Sequence, residues 1–199
     1  TEAGPNNFYI SPEDAKMKRG SVGKPMLFNS IKLIKSDSSE TMANEVGEIL
    51  IHGKHSFSCY WNQETATQET MKEGWIHTGD LAKQDEEGYF YIVGRKKDMI
   101  ITGGENVYPL EIEHWLTAHP AINEAAIIGL PDDKWGEIVT AFISLLNPFT
   151  LEDEELKNYC EPKLGRYKIP KQFIRLEELP KTHVGKIDKK KLKEIGMKR

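Results

Sequence analysis

Residues 94–109 read GRKKDMIITGGENVYP, and this stretch divides the chain. Before it, Tyr89, Phe90, Tyr91, Ile92 and Val93 form an aromatic and aliphatic run of strand character, which Gly94, Arg95, Lys96, Lys97 and Asp98 then break with charge. After it come a short apolar run (Met99, Ile100, Ile101), Thr102, two glycines and a proline placed for the first turn of a helix. A charged joint followed by bare backbone is an unusual way to connect two segments, and the patterning on its two sides differs.

On the N-terminal side the pattern is β-rich. GSVGKP (20–25) is turn chemistry ahead of a strand at Ile31–Lys35, and SDSSETMANE (36–45) is a polar loop. GEILIHG from Gly47 gives a strand with Ile49 and Ile51 alternating, and DLAKQDEEGYFYIVG reads as a hairpin turning at Asp85–Gly88. Short strands at this spacing suggest a distorted, barrel-like unit. On the C-terminal side the types mix. Pro109–Ala118 is helical with Ile112, Trp115 and Leu116 on one face. Glu124–Leu130 and Ile138–Leu146 are strands separated by PDDKWGE, and KQFIRLEELP supplies a third. Thr150 and Asp153 suggest a capping box opening a helix that turns Leu156, Tyr159 and Cys160 inward, and Ile187–Ile195 a closing helix. The expected fold class is therefore α+β, with a mixed three-stranded sheet in the second half and the joint at Arg95–Asp98.

With 38% hydrophobic and 29% charged residues over 199 positions, the chain is composed like a soluble globular protein that can bury a core. A formal net charge of −4 gives no reason to expect nucleic acid. No apolar run is long enough to span a membrane, and no signal peptide opens the chain. Cys59 and Cys160 stand far apart and in no metal-ligand spacing, so a reducing, cytoplasmic setting is expected. The first residue is Thr1, which suggests a piece of something longer. From Lys181 onward eight Lys or Arg face only Asp188 and Glu194, either a solvated terminal helix or an arm that meets phosphates.

Several chemistries fall away. Neither GSVGKP nor THVGKI has the spacing of a phosphate-binding P-loop, the histidines offer no paired-ligand spacing, and no nucleophile elbow occurs. What remains is an ordered series: TE (1–2), GEI (47–49), YWN (60–62), GWIHTGD (74–80), GRKKD (94–98), GGENVYPLEIE (103–113), YKIPK (167–171) and LPKTHVGKID (179–188). Over nearly the whole chain this series resembles the adenylate-forming enzymes: acyl-CoA synthetases, luciferases and the adenylation domains of peptide synthetases. The wording around the joint is most similar to the fatty-acyl CoA ligase branch.

The resemblance implies that residues 1–96 are the end of a large N-terminal domain and residues 97–199 a mobile lid. The family's phosphate loop and most of its acyl pocket would lie in a preceding portion of the same polypeptide. It further implies ATP, Mg²⁺, CoA and a carboxylic acid as reactants and cofactors. Asp80 would meet the ribose, Arg95 the same ribose or a phosphate, Ile92 the nucleotide, Thr1 the phosphates and Glu2 the Mg²⁺ ion. Lys186 would bridge the substrate carboxylate and the α-phosphate, Lys97 would be the hinge, and Thr102, Gly103 and Gly104 would line the tunnel for the CoA thiol arm.

Read singly, each residue has a plainer use. Asp80 reads as a turn cap, Arg95 as half of a surface ion pair, Ile92 as core, and Lys186 as one lysine among many. Lys97 reads as part of a β-turn, and Gly103–Gly104 as a bulge before the helix. Thr1 and Glu2, at a chain end, are expected to fray. Two rival readings stay open: a domain that loads a carrier protein, and a non-catalytic fragment that folds and binds nucleotide or CoA weakly.

Overall fold

The computed structural model describes residues 1–198, which fall into two units, 1–97 and 98–198. The first contains β1 (Phe8–Tyr9), α1 (Pro12–Met17), β2 (Lys24–Pro25), β3 (Ser30–Ile34), β4 (Val46–His52), α2 (Glu64–Thr70), β5 (Met71–Lys72), β6 (Trp75–Gln84) and β7 (Phe90–Arg95). Strands β3, β4 and β6 pair antiparallel in that order; β5 pairs with the start of β6 and β7 with its end. Asp85 closes the β6–β7 turn as expected. Its carboxylate accepts the Glu87 and Tyr89 amides at 3.0 and 2.9 Å.

The barrel-like expectation is corrected: this is an open five-stranded antiparallel sheet, with β1 and β2 forming a separate pair. Its core is Leu33, Ile49, Ile51, Ala82 and Phe90, with Phe8 against Phe90 at 5.2 Å between ring centres. Burial in β4 is continuous from Gly47 to Ile51. Ile49 and Ile51 share one face and Leu50 lies on the other, so both faces of the strand are covered.

The second unit contains β8 (Ile100–Thr102), β9 (Glu105–Val107), α3 (Pro109–Thr117), β10 (Ile122–Asp132), β11 (Gly136–Leu145), α4 (Asp153–Cys160), β12 (Gln172–Arg175) and α5 (Lys189–Met197). β10 and β11 pair antiparallel and β11 and β12 parallel, giving the expected mixed three-stranded sheet. The β8–β9 hairpin joins it through the Thr102–Gly136 pair, for five strands in all.

The two-residue period of the strands sorts this core. Ala125, Ile127, Val139, Ala141 and Ile143 pack with Ile112 and Leu116 of α3 and Leu156 and Cys160 of α4. Ala126, Ile128, Phe142 and Ile174 point the opposite way and pack on Leu192 of α5. A sheet covered on both faces explains why the strands read as unbroken apolar runs.

The capping box of α4 is not the expected Thr150–Asp153. Glu152 is the cap, accepting the Glu155 amide while the Glu155 carboxylate accepts the Glu152 amide at 2.7 Å. The closing helix starts at Lys189, because Ile187 is taken up in a bridge to Lys181. Among the described residues no helix is long and apolar enough to cross a membrane.

Candidate active-site residues

In the first unit the β6–β7 register places Asp80 opposite Arg95. The Arg95 Nε lies 2.8 Å from Asp80 Oδ1 in an ion pair, and Arg95 Nη2 donates to the Thr78 carbonyl at 2.9 Å. Asp80 also receives local order from Thr78, whose Oγ1 accepts the Asp80 amide at 3.1 Å. The carboxylate and guanidinium are 42% and 50% exposed, so each keeps hydrogen-bonding capacity for a ligand. Arg95 is half of an ion pair, its plainer use, and that pair sets it beside the Asp80 carboxylate. Ile92 packs on the Leu33–Phe90 core, the plainer of its two uses.

Glu48, from the GEI motif, is the residue that sequence reading left without a role. It is 7% exposed, and its two oxygens face different partners. Oε1 accepts the Gly79 amide at 3.2 Å, and Oε2 receives the Lys96 ammonium at 2.9 Å. His77 Nδ1 lies 3.8 Å from Oε1. Burial pushes the His77 pKa below its ordinary value, with Glu48 opposing that trend.

Thr1 is fully exposed, but the expected fraying does not extend to Glu2. The Tyr60 hydroxyl donates to Glu2 Oε1 at 2.7 Å, and the Glu2 carbonyl accepts the Phe57 amide at 2.8 Å. That Tyr60 hydrogen bond holds the Glu2 carboxyl below its usual pKa. Among the described residues no group of three or more His, Cys, Asp or Glu could hold a metal. A single ionised carboxylate fits Mg²⁺, which takes one or two protein carboxylates and fills its shell with water and phosphate oxygens.

Lys96–Asp98 form a single 3₁₀ turn, and the division between the units falls within it, after Lys97. Lys97 is exposed. In the second unit Gly103 and Gly104 are not a bulge but the two-residue turn of the β8–β9 hairpin. Their φ values of +59° and +85° are those of a turn with both central residues left-handed, which glycine adopts without strain. Thr102 is buried at the strand end.

Trp135, from the PDDKWGE turn, lies against this hairpin. Its carbonyl accepts the Gly103 amide at 2.9 Å, and a Cβ on Gly103 would come within 2.8 Å of its ring. The Lys171 Nζ sits 4.2 Å from the ring centre of Trp135 and that of Lys134 5.1 Å. Sequence reading left Trp135 in a connecting turn; a large aromatic between a lysine and a glycine there was the available signal.

Lys186 sits in a tight loop between Lys181 and Ile187. The Thr182 amide donates to the Lys186 carbonyl at 2.7 Å and the Gly185 amide to the Thr182 carbonyl at 2.9 Å. Three other lysines of the basic tail are engaged: Lys181 with Glu124 at 2.9 Å, Lys189 with Glu113 at 2.9 Å, and Lys193 with Glu137 at 3.7 Å. Lys186 is exposed and makes no ion pair among the described residues. The backbone of the loop is ordered while the ammonium stays available.

Comparison with known proteins gives these features a context. Residues 111–186 match the AMP-binding enzyme C-terminal domain. The chain is 40% identical over 195 residues to the indoleacetate–CoA ligase of Aromatoleum aromaticum (strain DSM 19018 / LMG 30748 / EbN1), covering 98% of the chain and 38% of the ligase. It superposes with a TM-score of 0.91 and 38% identity on the o-succinylbenzoate CoA synthetase of Bacillus subtilis in complex with its acyl-adenylate intermediate, over 96% of the chain and 39% of the synthetase. The same synthetase with ATP and magnesium ion gives a TM-score of 0.86 at 38% identity, over 94% and 38% of the two chains. Over nearly its whole length the chain is thus similar to part of acid–CoA ligases, and residues 111–186 match the C-terminal domain of AMP-binding enzymes. It spans about two-fifths of the length of these relatives.

Proposed function

We propose that this chain supplies the C-terminal part of the active site of an AMP-forming acid–CoA ligase. The observation that carries the proposal is Lys186: an exposed ammonium in no ion pair among the described residues, at the tip of a hydrogen-bonded loop, in a tail where Lys181, Lys189 and Lys193 serve ion pairs. In the first half-reaction an oxygen of the acid attacks the α-phosphorus of ATP, an acyl–O–P bond forms and pyrophosphate leaves. The Lys186 ammonium sits between the two anions, where it offsets their repulsion and the charge that grows as they meet. Asp80 accepts hydrogen bonds from the ribose hydroxyls, and Arg95 holds that carboxylate in place. Glu2 would hold Mg²⁺, which when bound neutralises phosphate charge.

In the second half-reaction the CoA sulfur attacks the acyl carbon, forming the thioester and releasing AMP, while the thiol proton passes to solvent. The Lys97 joint turns the second unit so that Lys186 withdraws and the Gly103–Gly104 turn lines the approach of the thiol arm. Two glycines in succession leave that approach free of side chains. Residues 1–96 are accordingly the end of the larger adenylating domain, and residues 97–199 the lid.

Between the fatty acid suggested by the sequence wording and an aryl-substituted acid we favour the second, a reading supported by relatives named for indoleacetate and succinylbenzoate. A panel of alkyl and aryl acids with ATP and Mg²⁺, following pyrophosphate with and without CoA, tests this. It is run on the chain alone, on the full-length polypeptide, whose own upstream portion would carry the acyl pocket, and on the chain joined to the upstream portion of the indoleacetate–CoA ligase. CoA-dependent turnover by the joined enzyme supports the ligase reading, and preference of the full-length polypeptide for aryl acids supports the choice of acid. Turnover with a phosphopantetheinyl carrier and none with CoA moves the assignment to the carrier-loading class.

A further inference from the structure

The Glu48 carboxylate is buried inside a sheet, uses one oxygen on the backbone of the Thr78–Asp80 turn and the other on Lys96, and is not itself placed to touch a ligand. A carboxylate is costly to bury unless both oxygens are satisfied, and here the partners lie on two different features. One is the turn that presents Asp80. The other is the first residue of the 3₁₀ turn in which the units divide. Arg95, the residue before Lys96, closes the same network by reaching back to Asp80 and Thr78.

A second anchor lies just beyond the joint. Lys189, at the first position of α5, stands 3.7 Å from Asp98 and 2.9 Å from Glu113 of α3. The residues on either side of Lys97 are therefore each tied to their own unit, Lys96 by Glu48 and Asp98 by Lys189. Lys97 makes no ion pair among the described residues.

We infer that Glu48 is a positioning residue that holds the Asp80 turn and the start of the joint as one body, so that movement of the second unit is confined to the torsions around Lys97. The inference rests on the proposed roles of Asp80 and Lys97. Its consequence is that the nucleotide-facing turn and the joint sense each other through one side chain: displacing Gly79 disturbs Lys96, and releasing Lys96 disturbs Gly79. His77, beside the same oxygen, is the other titratable group facing Glu48.

The test uses the 199-residue chain with Glu48→Gln and Lys96→Met variants. Glu48→Gln keeps the shape of the side chain and removes its charge; Lys96→Met removes only the joint partner, at a position 58% exposed, and the amide dispersion of each variant checks that it is folded. Amide spectra are compared at Gly79 and Asp80, and tryptic cleavage is timed after Lys96 and Lys97. The expected results are a shift of the Gly79 and Asp80 amides in Lys96→Met, although Lys96 touches neither, and roughly two- to fivefold faster cleavage at the joint in Glu48→Gln. Unmoved Gly79 and Asp80 amides in Lys96→Met, or unchanged cleavage in a folded Glu48→Gln, overturn the inference. Titration of the unsubstituted chain with AMP separates the underlying reading. If AMP leaves the Asp80 and Arg95 resonances unmoved, the nucleotide role falls, while the amide and cleavage arms still decide whether Glu48 ties the turn to the joint.

Discussion

Replacing Gly103 and Gly104 one at a time with alanine separates backbone strain from contact at the hairpin that we assign to the thiol approach. Both glycines have left-handed φ, so either alanine carries about 1 kcal/mol of strain. At Gly104 nothing lies within 4 Å of the new Cβ, and strain is the whole cost. At Gly103 the Cβ would stand 2.8 Å from Cε3 and 3.1 Å from Cζ3 of Trp135, and the ring must move. Because Trp135 is 38% exposed it can yield outward, so the added cost belongs at the low end of the overpacking range, about 1 kcal/mol. Gly103→Ala is thus expected to cost about 2 kcal/mol and Gly104→Ala about 1 kcal/mol. The assay is hydrogen exchange of the β11 amides at increasing urea, which reports opening of the second unit without requiring the whole chain to unfold at once. Repeating the pair in a Trp135→Ala background should bring the two costs together. An excess cost at Gly103 that persists without Trp135 would refute the contact as its source.

Other substitutions test separate parts of the account. Asp80→Asn should leave stability within about 0.5 kcal/mol, since its ion pair with Arg95 is half exposed, yet weaken nucleotide binding roughly tenfold or more in the joined enzyme; urea melts and ATP titration read the two effects. Trp115→Phe removes the indole donor that reaches the Tyr159 carbonyl at 3.0 Å between α3 and α4, and should cost about 1–2 kcal/mol by the same exchange assay. Burial pushes the Cys160 thiol from 9.0 up to about 11, so the folded state disfavours its thiolate. The sign follows: this contribution to stability is complete below about pH 9 and is lost as pH rises toward about 11, and a Cys160→Ala variant should lack that alkaline decline. At pH 8 a thiol reagent should label exposed Cys59 at once and Cys160 only as the unit opens.

The legible parts of the fold are those with an apolar period. α3 was readable because Ile112 and Leu116 recur on one face, and the three strands because each is a bounded apolar run. α1 and α2 went unread for the complementary reason: neither buries a residue, so neither carries a stripe. The barrel-like expectation failed because strand spacing does not report closure, and an open sheet in which β4 is covered on both faces has the same spacing. The α4 cap slipped because Thr150 and Asp153 have the right types at the right distance, while two glutamates two residues on make the actual reciprocal bonds.

At the site, Asp80 and Arg95 were readable as separate residues. Their pairing depends on the Asp85–Gly88 turn and on a register shift between Leu81 and Ala82, which no spacing rule supplies. Glu48 is not legible from its GEI motif, because its meaning lies in Gly79 and Lys96, 31 and 48 residues away.

The most direct test of the central claim is to measure the two half-reactions separately in the enzyme formed by joining this chain to the upstream portion of the indoleacetate–CoA ligase, with and without Lys186→Ala. Lys186→Ala is expected to lower pyrophosphate release from acid and ATP by on the order of a hundredfold, while CoA thioester formation from supplied acyl-adenylate changes less than about threefold. Equal loss of both half-reactions, or retention of both, would contradict the assignment of Lys186 to adenylate formation.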